Sequence, residues 1–400
     1  MDSVEAAREK MCAQVAGLGC ESVALEAGLN RVLAQPIRAT RDQPPFRSAA
    51  MDGYALRKSD LENGRPLEVV GVSAAGARYL PKLPAGESVR IFTGAPVPDG
   101  ADCVLPQEDA NIDGERLIGA VPRSNHIRER AIDFSAGTTL IESGRRLDSF
   151  TLSLAAAAGH AQAIVAKAPR IALLATGSEL VLPGREAGAD QIYDSVSFGL
   201  CALIEAWGGV PVRHIPEADN VEGICRAAAA ALPEADLLIT IGGASVGDHD
   251  LVKSALARLD LTMMVPRVAL KPGKPTWFGR TALGPVLGLP GNPVSALVCA
   301  HLFLRPLLEK MLGRNPDLSV RTFPARTAGA LAANGSFEHY IRAQIEIDPE
   351  GCRIARACEQ QDSAVLSALL SANALLKRLP GAQASAAGER VEVIPLHRDG

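Results

Sequence analysis

Aromatic residues make up only 4% of this 400-residue chain, so any core it builds is aliphatic. Neither sign of charge dominates. With 41 Lys and Arg against 45 Asp and Glu, the formal net charge is -4, which excludes an overall field that recruits nucleic acid or an anionic membrane surface. No apolar run approaches the ~20 residues of a membrane span. The opening stretch MDSVEAAREK is polar and acidic, unlike a secretory signal. The eight cysteines contain no C-x-x-C pair. They read as reduced thiols of a cytoplasmic protein, and a zinc site is not expected. Also missing are G-x-G-x-x-G and G-x-x-x-x-G-K-[ST], so neither a dinucleotide-binding fold nor a P-loop is supported.

What is present is abundant turn chemistry and alternating pattern. The 37 Gly and 27 Pro are spread along the chain, and 47% hydrophobic content is ample for more than one core. Residues 1–34 carry Ala, Leu and Val at helical spacing and read as helix. Residues 36–134 switch to short Val/Ile/Leu runs broken by Gly, Pro and Asp, a β-rich pattern. Residues 148–166 read as a helix and a short strand. Residues 169–317 then alternate strand and helix: RIALLAT, DSVSFGLCALIEAWGG, VPVRHI, DNVEGICRAAAAAL, DLLITIGG, HDLVKSALARLD, LTMMVPRVAL, PVLGL and PVSALVCAHLFLRPLLEKML. This implies an α/β fold with a mainly parallel sheet covered on both faces. Residues 318–400 read as a small β domain.

Ligands bind such sheets beyond the C-terminal strand ends. Here those ends read TGSEL, GGASVGDHD, KPGKP and PGNP. Gly177, Gly242, Gly243 and Gly247 let backbone N–H groups approach a ligand. Lys271 and Lys274 add cations. Pro290 and Asn292 lead into Pro293, with Asn292 as expected N-cap and Pro293 as first helical residue; the helix N-terminus is then open and favours an anion. Asp194 or Ser195 is expected to cap the preceding DSVSFG helix. Each loop alone has a plain structural reading as a turn, a cap or a solvated pair of lysines; it is their convergence that marks a site. Glu179, Asp248 and Asp250 lie on the same loops, and Asp219 precedes a helix, where its plain structural reading is a cap. Carboxylates beside a phosphate site call for a bridging Mg²⁺. His249 and His301 read as a loop residue and a satisfied core histidine.

The strings PPFRSAAMDGYAL, IFTGAPVPDGADCVLPQED, LLATGSELV, QIYDSVS, GGASVGDHD, ALKPGKP and GLPGNPVSAL resemble the molybdopterin molybdenumtransferase family, the MoeA type, related to the E domain of gephyrin. The likeness runs in order from about residue 10 to residue 395. It implies four domains: 1–37 with 135–168 as an elongated helical dimerisation domain, 38–134 as a β-rich domain, 169–317 as the α/β molybdopterin-binding domain, and 318–400 as the C-terminal β domain. It implies a homodimer in which Asp52 and Thr93 face the sheet loops of the partner subunit. Asp133, Glu179, Asp219 and Asp250 match the acidic catalytic set, with Asp219 and Asp250 as metal ligands. Lys271, Lys274, Ser295, Arg342 and Ser363 match positions that hold molybdate or pterin phosphate; Gly177, Gly243, Ser245, Pro290, Asn292 and Pro293 complete the substrate loops. Ala49, Ala131-Ile132, Arg267 and Asp362 depart from the family pattern, which has Ser, Gly-Glu, Lys and Gly there.

The resemblance implies an enzyme that turns adenylylated molybdopterin and molybdate into molybdenum cofactor and AMP with Mg²⁺, supplied by a molybdopterin adenylyltransferase and serving molybdoenzyme acceptors. No Ser-His-Asp arrangement is visible, so positioning and electrostatics are expected to carry the reaction. Two alternatives remain at this level: a non-catalytic molybdopterin-binding scaffold, and a general nucleotide or sugar-phosphate transferase.

Overall fold

Strict alternation of face explains the central sheet. Along the strand Leu237–Ile241, Leu237, Ile239 and Ile241 enter one apolar layer, while Leu238 enters the opposite one. The first layer holds Val4, Ala7 and Met11 of the N-terminal helix Val4–Cys12, Leu200 and Ile204 of helix Val196–Ala206, and Val294 and Leu308. The second holds Ile224 and Ala228 of helix Val221–Ala231 and Val252 and Leu256 of helix Leu251–Ala257. A sheet buried on both faces needs strands that are apolar throughout, as the sequence has.

The structure is a computed structural model and describes residues 1–242 and 251–396. Gly243, Ser245, Gly247, Asp248, His249 and Asp250 therefore lie outside the described residues. Two units are distinguished. One comprises Met1–Ser22, Asn30–Ala34 and the chain from Ile164 onward; the other comprises Val23–Leu29 and Gln35–Ala163.

In the first unit the sheet order is Val210–Arg213, Arg170–Ala175, Leu237–Ile241, Gly284–Leu289, Trp277–Thr281, Thr262–Val265. The first four strands are mutually parallel, and Trp277–Thr281 runs antiparallel to both of its neighbours, Gly284–Leu289 and Thr262–Val265. Trp277–Thr281 was not legible as a strand beside KPGKP; it forms a hairpin with Gly284–Leu289. Trp277 is fully buried there, and Gly288 opposite it leaves room that a Cβ would fill, 2.0 Å from the indole.

The expected long N-terminal helix is corrected. Only Val4–Cys12 is α-helical, Cys20–Ala24 is a strand, and Leu25–Ala27 makes a short 3-10 turn. The helix ends at its C-cap Ala13, and Gly17 and Gly19, the latter at a φ of +84°, keep the segment that follows out of helix despite apolar spacing. The last helix runs from Pro293 to Met311 with a wider π turn over Ala300–Leu304. Pro306, which lacks an N–H, sits just beyond that turn.

Five C-terminal strands, Phe323–Thr327, Glu338–Ile347, Arg353–Ala357, Ala374–Arg378 and Arg390–Pro395, pair in a closed ring around Ala325, Ala343, Ala355, Leu376 and Val393. A further short strand, Leu270–Lys271, pairs with Glu338–Ile347 at its rim.

The second unit contains a six-stranded sheet in the order Cys103–Pro106, Gly53–Leu56, Glu87–Ile91, Leu67–Ser73, Arg116–Gly119, Ala110–Asp113. It also holds helix Ser149–Ala157, whose Asp148 and Thr151 form a reciprocal capping box. Ala131 takes a left-handed φ of 60°, so this chain keeps, with alanine, a backbone conformation that favours glycine.

Candidate active site

The parallel strands end together, and their loops enclose a cavity of about 660 Å³. Thr176, Gly177 and Glu179 follow Arg170–Ala175; Asp219 follows Val210–Arg213; Gly242 follows Leu237–Ile241; Pro290, Asn292 and Pro293 follow Gly284–Leu289. The volume is in the range that holds a small organic ligand. Gly242 is fixed by geometry: its φ is +87°, and a Cβ would meet the Thr176 carbonyl oxygen at 2.6 Å. At Gly177 a Cβ would meet the Glu179 carboxylate at 2.7 Å, so its bareness leaves that carboxylate its position.

Asp219 is not the cap of the helix it precedes. Asn220 does that work, its Oδ1 accepting from the Gly223 N–H at 2.6 Å. Asp219 instead accepts from the Ser178 N–H at 3.3 Å, and its own N–H donates to Ser178 Oγ at 3.1 Å. Asp219 and Glu179 are both exposed. A third carboxylate on this cavity had been assigned only a capping role. Asp194 does cap, with Oδ1 accepting from the Ser197 N–H at 3.1 Å, while Ser195 makes no side-chain cap. Asp194 is also 2% exposed and lines the cavity, and its Oδ2 has no hydrogen-bond partner among the described residues. The signal in the sequence was its place in QIYDSVS.

The start of helix Pro293–Cys299 differs from expectation. Asn292 makes no side-chain cap; its Nδ2 donates to Ser363 Oγ at 3.0 Å. The Val294 N–H is not bare, for it donates to the Ser363 carbonyl at 3.1 Å. Ser363 thus joins the cavity rim through two bonds, beside Ala364 in the lining. Ser295 is buried in the first turn of the same helix.

The lysines are divided. Pro275 of KPGKP lines this cavity, but Lys271 lines a second one, and the Lys274 ammonium sits over the Phe337 ring at 5.3 Å. The cause is Lys271's strand, which belongs to the C-terminal ring of strands rather than to the central sheet. Arg342 is 1% exposed; Nε and Nη2 have no acceptor among the described residues, and burial lowers its pKa. Such a guanidinium is costly unless an anion or other acceptor meets it.

In the second unit, Gly53 and Ile91 pair across antiparallel strands, which sets Asp52 beside Thr93. Asp52 Oδ1 accepts from both the N–H and the hydroxyl of Thr93 at 2.7 Å. The Thr93 backbone N–H, then its hydroxyl, with Arg90 adding, hold the Asp52 carboxyl below its ordinary range. Asp133 is exposed, its N–H donating to the Gln43 carbonyl at 3.0 Å.

Three family models match this chain in order. They are the MoeA N-terminal region (domain I and II) over residues 2–159, a probable molybdopterin binding domain over 172–310, and the MoeA C-terminal region (domain IV) over 324–396. A molybdopterin molybdenumtransferase of Haemophilus influenzae is 33% identical over 99% of both chains. One of Nostoc sp. is 32% identical over 94% of this chain and 88% of its own. The crystal structure of a molybdopterin biosynthesis moea protein from Pyrococcus horikosii superposes with a TM-score of 0.84 at 30% identity, covering 99% of each chain. Identity of 33% along nearly the whole of both chains and a shared fold lead to one conclusion: the chain belongs to the molybdopterin molybdenumtransferase family.

Proposed function

We propose that this protein inserts molybdenum from molybdate into adenylylated molybdopterin, releasing AMP. The observation that carries the reading is the cavity at the C-terminal strand ends, which puts exposed carboxylates beside Gly-lined loops and a helix N-terminus. A scaffold that only stored the pterin would have no use for Glu179 and Asp219 facing its phosphates, because uncompensated carboxylates repel them.

Two charge problems define the work of these residues. Molybdate is a dianion and must approach an anionic pterin dithiolene. Lys274, Arg342 and Lys271 offset that repulsion, and the Ser363 hydroxyl supplies a polar contact beside Asn292. Cleavage of the phosphoanhydride requires the opposite provision. Mg²⁺ takes hard oxygen donors and often only one or two carboxylates, the rest being water and substrate phosphate. Asp219 and Glu179, exposed on one cavity, suit it, and Asp250 from the sequence motif is the further ligand. When bound, the cation would neutralise the phosphate oxygens of the anhydride. Gly177 and Gly242 let backbone approach the ligand, and the Ser178–Asp219 bonds hold the carboxylate's loop in place.

The protein acts as a homodimer in the cytoplasm, Asp52 and Thr93 of one subunit completing the site of the other, and it receives substrate from an adenylyltransferase and passes product to molybdoenzymes. Among the described residues no helix is long and apolar enough to cross a membrane.

The test is AMP release from adenylylated molybdopterin with molybdate and Mg²⁺. Asp219→Asn and Asp250→Asn are expected to keep their thermal midpoints, still bind substrate and lose most Mg²⁺-dependent release. Wild-type turnover in both would remove these carboxylates from catalysis. Tight substrate binding with no release by the wild-type protein would favour a scaffold instead. For the shared site, Asp52→Asn and Asp250→Asn subunits mixed and exchanged should restore activity; absence of rescue after confirmed exchange counts against it.

A further inference from the structure

A second cavity, about 460 Å³, is lined by the loop 331–337, by Lys271, and by His339, Ile341 and Arg378 of the C-terminal strands. It is chemically the reverse of the first. None of its lining residues is a carboxylate. Neither Lys271 nor Arg378 has an ion-pair partner among the described residues. The neighbouring Glu338 points its charge elsewhere, bonding Tyr340 and Lys377 at a different depression.

The cations are held in place. The strand register sets Lys271 opposite His339, and His339 opposite Arg378. Arg378 is 7% exposed; Nη1 donates to Ser385 Oγ at 2.6 Å, and Nη2 to the carbonyls of Ala332 and Gln383. Asn334 pins the loop by donating to the carbonyls of Phe337, Arg378 and Leu379. Such a site needs no reorganisation to receive an anion, which is where electrostatic recognition is strongest. Burial first, then Lys271, Arg342 and Arg378, pushes His339 down to about 4, the mark of a place crowded with positive charge.

The rest of the wall is apolar: Leu331, Phe337 and Ile341. The volume belongs to small organic ligands rather than to a bare oxyanion. We propose that this cavity binds an organic phosphomonoester of about mononucleotide size, its phosphate beside Lys271 and Arg378 and its body against Leu331, Phe337 and Ile341. The proposal shares Lys271 with the transferase reading but rests on His339, Arg378 and the 331–337 loop, which that reading does not use, and its test does not use turnover.

The probe is pyridoxamine phosphate, a planar phosphomonoester, titrated calorimetrically into the full-length protein against pyridoxamine and inorganic phosphate. The ester is expected to bind about tenfold or more tighter than either fragment. His339→Glu, which sets a carboxylate between the two cations, and Ala333→Trp, which fills the cavity from an exposed loop position, should each weaken it about tenfold or more. Asp219→Asn, on the first cavity, should leave the affinity unchanged. If His339→Glu does not fold, Ala333→Trp decides the matter alone. No binding to the wild-type protein, undiminished binding to the folded cavity variants, or equal weakening by Asp219→Asn overturns the proposal. So does pyridoxamine binding as tightly as its phosphate, and inorganic phosphate binding as tightly as the ester overturns the role of the apolar wall.

Discussion

The two cavities of the first unit are built from opposite materials. The first has Glu179 and Asp219 on exposed loops, with buried Asp194 behind them, and its shape depends on glycines. The second has Lys271, His339 and Arg378 set by strand register and by a web of carbonyl bonds. The difference teaches where each keeps its specificity. Loop carboxylates carry almost none of the fold, so they are free to serve chemistry. Strand-borne cations are part of the fold, so changing them alters stability and recognition together.

The sharpest way to break this contrast is Gly242→Ala. The methyl would collide with the Thr176 carbonyl oxygen at a φ of +87°. Left-handed strain together with overpacking is expected to cost about 2–5 kcal/mol, read as a lowered midpoint in chemical denaturation. A cost under about 0.5 kcal/mol would show that the loop relaxes and that glycine does not shape the first cavity.

Lys271→Ala comes next. Loss of a charge-assisted contact is worth about 1.5–3 kcal/mol, or roughly 10- to 150-fold in binding. The molybdate concentration for half-maximal turnover should rise by that factor. If the molybdate dependence is unchanged, Lys271 serves the basic cavity alone.

His339→Gln tests the embedded character of the second cavity. The imidazole is held down to about 4 by burial and its cationic neighbours, whereas in the unfolded chain it titrates near its ordinary ~6.5. Between those values the unfolded state binds the additional proton. Stability is therefore full above about pH 6.5 and falls as pH drops towards 4. The ring is half-buried, so the discounted contribution is about 1–2 kcal/mol. The difference between wild-type and variant stability should change by that amount across this window; a constant difference would mean that His339 titrates normally.

Asp219→Asn should do least to the fold, within about 0.5 kcal/mol, because Asn220 holds the helix cap. A larger loss of stability would make Asp219 structural and erase the distinction between the cavities.

Much of the first cavity was legible in the sequence because its logic is local. A strand followed by Gly, Glu or Pro-Gly-Asn reads directly as a sheet edge with a polar loop. The parallel sheet followed from strand–helix alternation. Residues whose role depends on register were not legible. Nothing local says that Leu270–Lys271 leaves the central sheet to pair with Glu338 and His339. Trp277–Thr281 was hidden because its flanking prolines and glycine read as loop, while burial of Trp277 against Gly288 makes it a strand. The helical spacing of residues 1–34 misled because periodicity does not register that Gly17 and Gly19 interrupt it. Asp194 was seen as a cap, which it is, and a cap that also lines a cavity has no separate signature.

The bond from the Val294 N–H to the Ser363 carbonyl has a consequence for hydrogen exchange. Val294 lies in the first turn of its helix, where no intrahelical acceptor exists for its amide. Its protection from deuterium therefore depends on a segment some seventy residues later in the chain. Excursions of the 358–366 segment that leave the central sheet intact would appear at this one amide first, while the amides of Leu237–Ile241 stayed protected. A single probe on the rim of the first cavity thus reports how often the C-terminal strands let go of it.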